Sequence, residues 1–114
     1  MQREELASPP EHAVEPVFGL DELADAILKL RKPDELRRFL RDLCTLTELE
    51  AMAHRWQIAQ LLDAGRLSYV EIADEVGGST ATVTRVAHWL RHGSGGYRLA
   101  LDRLTGRQAP KGSR

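Results

Sequence analysis

Apolar residues recur at spacings of three and four from about residue 19 to residue 105, and no stretch sustains alternation of period two. The pattern predicts helices and no strands. Leu23, Ala24, Ile27, Leu28 and Leu30 mark a first helix, with Asp21 placed to cap it. Lys32-Pro33 ends it, because proline disfavours a helical residue before it and suits the first turn of a new helix. Leu36, Phe39, Leu40 and Leu43 then form one stripe, expected to be core, with Arg37, Arg38 and Arg41 off it. Thr47 and Glu50 have capping-box spacing and predict a third helix running to about Ala64, with Gly65 as its left-handed stop. Leu49, Met52, Ala53, Trp56, Ile58, Ala59, Leu61 and Leu62 cover more than one face of it, as expected of a central helix buried on several sides.

Residues 67–90, LSYVEIADEVGGSTATVTRVAHWL, carry a denser set of signals. Ser68 and Glu71 form a second capping box, opening a short helix with Val70, Ile72, Ala73 and Val76 turned inward. Gly77-Gly78 forces a turn, and Ser79 or Gly78 caps a helix from near Thr80. A small Ala73 lets the two helices cross closely, and Val83 and Val86 complete the core between them. The whole segment, about 68–91, reads as a helix-turn-helix. Gly93-Ser94-Gly95-Gly96 reads as a flexible link to a last helix, docked by Leu99, Leu101 and Leu104. Residues 1–18, with four glutamates and three prolines, and residues 106–114 read as flexible tails around a helical domain at 19–105.

Composition changes this picture in one respect. The chain has 114 residues and a formal charge of −1, which argues against a uniformly basic coat. The charge is unevenly spread, however. Residues 1–78 hold 9 basic and 16 acidic side chains, whereas residues 79–114 hold 7 basic and 1 acidic. From Ser79 to Gly96 there is no Asp or Glu. The single cysteine, Cys44, excludes an intrachain disulfide framework and reads as a small apolar residue. No membrane-length apolar run and no apolar signal core occur, so a cytoplasmic protein is expected.

The exposed residues of the second helix suit DNA. A recognition helix enters the major groove with its N-terminal residues toward base edges, where short polar groups permit close approach. Thr80, Ala81 and Thr84 are the expected base-facing residues. Ser79, Thr82, Arg91 and His92 are the expected phosphate contacts, and Arg85 contacts DNA or a ligand. Glycine-linked helix pairs also occur in purely structural bundles, so a helical protein–protein interaction module is the alternative.

The segment resembles the Trp repressor family, whose corresponding helix has an A-T-[IV]-T-R core matched by Ala81-Thr82-Val83-Thr84-Arg85. It is most similar to the YerC/YecD branch through Asp42-Leu43-Cys44-Thr45, Ser79-Thr80-Ala81-Thr82, Arg85-Val86 and Gly93-Ser94-Gly95-Gly96-Tyr97. The resemblance covers about residues 20–104. It implies an all-α, intertwined helical homodimer and a bacterial DNA-binding transcriptional regulator, a repressor by type. Two recognition helices related by a two-fold axis would enter successive major grooves, about 34–36 Å apart.

The resemblance also bears on cofactors. Arg55 and Arg85 match the two arginines with which tryptophan-binding members hold the corepressor. Val86 stands where that pocket wants glycine, and Trp89 replaces a small hydroxyl, so Arg55, Arg85, Val86 and Trp89 outline an effector pocket filled from within. No cofactor is expected: tryptophan is disfavoured, and another small effector stays open. The stretch before Arg55 is about two residues shorter than in tryptophan-binding members. Val70 stands where some of them place a base-contacting arginine, so their operator preference does not carry over.

Other chemistry has less behind it. His88 and His92 have helical i, i+4 spacing, but no further ligand completes a metal site. His54 and Arg55 lie near Glu50, yet a nucleophile, a phosphate loop and paired catalytic carboxylates are all missing, so no enzyme is expected. Lys29, Arg31, Lys32, Arg37, Arg38 and Arg41 read first as a solvated charged face.

Overall fold

The computed structural model describes residues 14–107. Within them the chain forms six helices: α1 (Leu20–Lys29), α2 (Pro33–Leu43), α3 (Leu46–Ala64), α4 (Tyr69–Val76), α5 (Thr80–His92) and α6 (Gly96–Thr105). There is no strand among the described residues, as the periodicity requires. The tails expected at 1–18 and 106–114 fall largely outside the described residues. The described chain divides into two units, one spanning residues 15–57 and one starting at Ile58.

The first unit holds α1, α2 and the first part of α3. α1 begins ahead of the expected cap. Gly19, with φ of 83°, turns the chain into the helix, and Asp21 lies inside the first turn rather than capping it. Its carboxylate still stands at the positive end of the helix dipole. Pro33 opens α2 as expected. Glu35 reaches back, its Oε1 accepting from the backbone N–H of Arg31 at 2.7 Å and of Lys32 at 3.3 Å.

The start of α3 corrects the sequence reading. Thr45, not Thr47, is the cap: Thr45 Oγ1 accepts from the Glu48 N–H at 3.1 Å, and Glu48 Oε1 accepts from the Thr45 N–H at 2.8 Å. The chain carries two overlapping Thr-x-x-Glu boxes of equal local chemistry. Taking the earlier one adds helical backbone bonds, including Leu49 N–H to Thr45 C=O at 3.1 Å.

No residue of α1 or α2 is buried. The stripe Leu36, Phe39 and Leu40 is only half-buried, and Leu43, Leu46 and Leu28 are exposed, Leu28 at 80%. Among the described residues the expected core face is therefore only partly covered. Cys44 is half-buried.

The unit starting at Ile58 contains the packed core. Ile58, Ala59, Ile72, Ala73, Val83, Val86, Ala87 and Leu101 are the buried apolar residues. α3 is thus buried at Ile58 and Ala59 rather than on several sides along its length. Gly65 stops it in the left-handed conformation, with φ of 71°. In this unit α5 packs against both α4 and α6. Leu101 anchors α6, while Leu99 and Leu104 point outward, against the expectation that all three dock. Burying every leucine of so short a helix would require cover on two sides, and α5 supplies one.

Candidate nucleic-acid interface

Ser68 fixes the start of α4. Its Oγ accepts from the Glu71 N–H at 3.1 Å, and Glu71 Oε1 accepts from the Ser68 N–H at 2.8 Å, satisfying two free helix donors. Ile72 and Ala73 face inward and are buried. Val76 is half-buried, and Val70, expected inside, is 59% exposed. Val70 lies two residues from Ile72, so the helical period turns it away from the side that Ile72 and Ala73 bury.

The turn needs glycine. Gly77 adopts φ of 76°, and the N–H groups of Gly77 and Gly78 both donate to the Ala73 carbonyl at 2.9 Å. A side chain at Gly77 would meet nothing nearby, so the constraint is backbone conformation alone. The extended Ser79 then caps α5, its Oγ accepting from the Thr82 N–H at 3.3 Å. The Thr82 side chain joins this cap, with 3.2 Å between Ser79 Oγ and Thr82 Oγ1.

On α5 the buried residues are Val83, Val86 and Ala87. Ala81, Thr84, Arg85, His88 and His92 recur at three- and four-residue spacing on the opposite, exposed side. Ser79, Thr80 and Arg91 are exposed as well, and Thr82 is half-buried beneath its contact with Ser79. The residues expected to meet DNA thus lie on one short helix and its cap, with no acidic group in the first turn of that helix.

The residues read as an effector pocket differ in exposure. Val86 belongs to the buried core of the helix pair, and Trp89 is 54% exposed rather than folded into its own chain. Arg55 and Arg85 are both exposed. The i, i+4 spacing of His88 and His92 brings their rings to 5.2 Å between centroids, and the Trp89 ring meets His88 edge-on at 5.3 Å. No group of three or more His, Cys, Asp or Glu among the described residues is arranged to hold a metal.

Behind the interface lies an ion-pair network that sequence reasoning missed. Asp63, at the end of α3, accepts from Arg98 of α6 at 2.8 Å and also pairs with Arg107. Arg98 Nε donates to Asp102 at 3.0 Å, and Arg107 approaches Asp102 at 3.5 Å. Burial alone would raise the Asp63 pKa, but hydrogen bonds and positive charge from Arg98 and Arg107 bring it below the ordinary carboxylate value. The bond to Asp63 in turn raises Arg98, against the opposing effect of burial and with Asp102 assisting. Arg98 and Asp102 are spaced i, i+4 and could have been read as a pair. Asp63 is 35 residues away, and nothing local points to it. The network fastens α6, which packs on α5, to the end of α3.

A family model described as Trp repressor protein matches residues 19–105. The chain belongs to the Trp repressor family. Members of this family are DNA-binding regulators and not enzymes, which is the class that the α4–turn–α5 unit suggested. Over 85 residues the chain is 42% identical to the uncharacterized protein YerC of Bacillus subtilis, covering 75% of this chain and 81% of that one. A solved TrpR-like protein from Eubacterium eligens superposes with a TM-score of 0.73 at 35% identity, covering 81% of this chain and 94% of that one. A Staphylococcus aureus protein crystallised as a candidate Trp repressor gives a TM-score of 0.73 at 40% identity, covering 79% and 89%. Membership of this family and likeness to YerC agree with the resemblance carried by Ala81–Arg85 and the glycine link. No helix among the described residues is long and apolar enough to cross a membrane.

Proposed function

We propose that the protein is a homodimeric, sequence-specific transcriptional repressor that reads double-stranded DNA through residues 68–91. The observation carrying this reading is the exposed side of α5. Thr80, Ala81, Thr84 and Arg85 stand free at the start of a helix whose other side is locked by Val83, Val86 and Ala87. Base contacts fall to Thr80, Ala81 and Thr84, phosphate contacts to Ser79, Thr82, Arg91 and His92, and Arg85 serves either. The free amides at the start of α5 add to the attraction for phosphate.

The homodimer has separate support. No residue of α1 or α2 is fully buried, although Leu23, Ile27, Leu36, Phe39 and Leu40 line up at helical spacing and are half-buried. A second copy of the chain covers such stripes, and a small domain needs the additional core.

The repressor is read as independent of tryptophan. Val86 is buried, so it has no room to swing aside for an indole ring. Calorimetry with tryptophan is expected to give no binding heat, and a micromolar Kd would refute this part.

Selection of bound duplexes from a random pool, followed by affinity against salt, tests the main reading. Each neutralised phosphate contributes about −0.9 to the log–log slope, and a slope steeper than about −4 is expected for the dimer. Failure to bind any selected duplex at low salt would favour the protein-interaction module instead.

A further inference from the structure

The arginines of α2 play no part in the reading above. We propose that Arg37 and Arg41 form a second phosphate-binding surface, which holds the DNA backbone separately from the base-reading helix; it rests on the DNA-binding reading. Arg37, Arg38, Arg41 and Asp42 line one open surface groove of about 340 Å³. Arg37 and Arg41 stand four residues apart on the same side of α2, about 6 Å along the axis. Like charges at that spacing work against the helix, and a bound anion removes the repulsion.

The nearby acids are mostly committed elsewhere. Asp34 accepts from Arg38 Nε at 3.0 Å, and Glu35 holds the backbone of Arg31 and Lys32. Among the described residues, Arg37 and Arg41 enter no ion pair. All three cations of the groove are arginine, whose planar fork matches phosphate oxygens in pairs. The lining decides between DNA and an acidic protein as occupant. Its four side chains are all charged, their carbon stems forming much of the wall, and none is an aliphatic or aromatic anchor of the kind on which a protein interface centres. A phosphate backbone asks only for charge and hydrogen-bond donors. Asp42 is the one opposing group in the groove.

The test uses the full chain, the Arg37→Gln/Arg41→Gln and Asp42→Asn variants, and a selected duplex, either trimmed to the recognised sequence or extended by long flanks. The double variant is expected to flatten the salt slope by about 2 to 4, since each lost phosphate contact is worth about 0.9. Sequence preference stays unchanged, melting temperature is unchanged or slightly raised by the lost repulsion, and Asp42→Asn binds more tightly. Loss confined to the flanked duplex assigns the phosphates to the same DNA. Loss of bridging between two differently labelled trimmed duplexes assigns them to a second DNA. Wild-type affinity with an unchanged slope in the double variant overturns the proposal and leaves the DNA-binding reading standing. So does an unchanged slope accompanied by lost binding of a polyglutamate peptide. A wild-type chain that binds no DNA overturns both.

Discussion

Asp63 and Arg98, 35 residues apart in the chain, meet in a 2.8 Å hydrogen-bonded ion pair between the end of α3 and the first turn of α6. The Asp63 side chain is 12% exposed, so the pair is sheltered on the carboxylate side while Arg98 stays partly in solvent. It ties α6, which packs on α5, to the helix that precedes α4.

Asp63→Asn is expected to lower stability by about 1 kcal/mol at neutral pH, between the values of exposed and sheltered charged hydrogen bonds. The Asp63 pKa is depressed in the folded chain, so its contribution is complete above the unfolded value of about 4. That contribution drains away as pH falls through the lower folded value. Denaturant midpoints of the two proteins should differ by a constant amount from neutral pH to about pH 5 and converge in stronger acid. A gap that is independent of pH would mean that the pair contributes nothing through charge.

The two Thr-x-x-Glu boxes make a second test. Because Thr45 caps α3, Thr45→Ala should cost about 1 kcal/mol, whereas Thr47→Ala inside the helix should cost much less. Thermal unfolding of both variants ranks them directly. The reverse order would move the start of α3.

Gly93 closes α5 with its N–H donating to the Trp89 carbonyl at 2.9 Å. A Cβ there would lie 2.5 Å from that same oxygen, a backbone atom that cannot swing away. Gly93→Ala should therefore destabilise by about 1–3 kcal/mol, the usual cost of forcing extra atoms into a filled space. The glycine link is thus a sterically required turn rather than only a flexible one. Wild-type stability in the alanine variant would restore the simpler view.

Thr80→Glu places a carboxylate at the exposed start of α5, a position that helix electrostatics tolerates well. Melting should be unchanged or slightly raised, while affinity for every DNA sequence falls. Electrophoretic or anisotropy titration checks this, and unchanged affinity would remove α5 from the docking surface.

Leu43 is 51% exposed on the uncovered side of α2. If a second copy covers it, Leu43→Glu should shift the protein from dimer toward monomer in analytical ultracentrifugation. It should also make melting more dependent on concentration. A stable dimer in this variant would place the contact elsewhere.

Much of the helical plan was legible locally. Pro33, Gly65, the Ser68–Glu71 box and Ser79 each terminate or start a helix through bonds within a few residues of themselves. Local chemistry misled where it was degenerate or incomplete. Asp21 has the right side chain for a cap, but Gly19 admits a conformation that starts the helix earlier. Val70, Leu99 and Leu104 look like core by hydropathy alone, yet they are exposed because the single chain supplies no second surface to cover them.

The sequence by itself determined the helical class, the α4–turn–α5 unit and the absence of acids from its second helix, because periodicity, caps and glycine conformations act over a few residues. Only the tertiary structure decided which apolar stripes are filled, which of two equal caps is used and what Asp63 is for. Those outcomes depend on which distant helix arrives beside each residue, and a spacing rule contains no information about that.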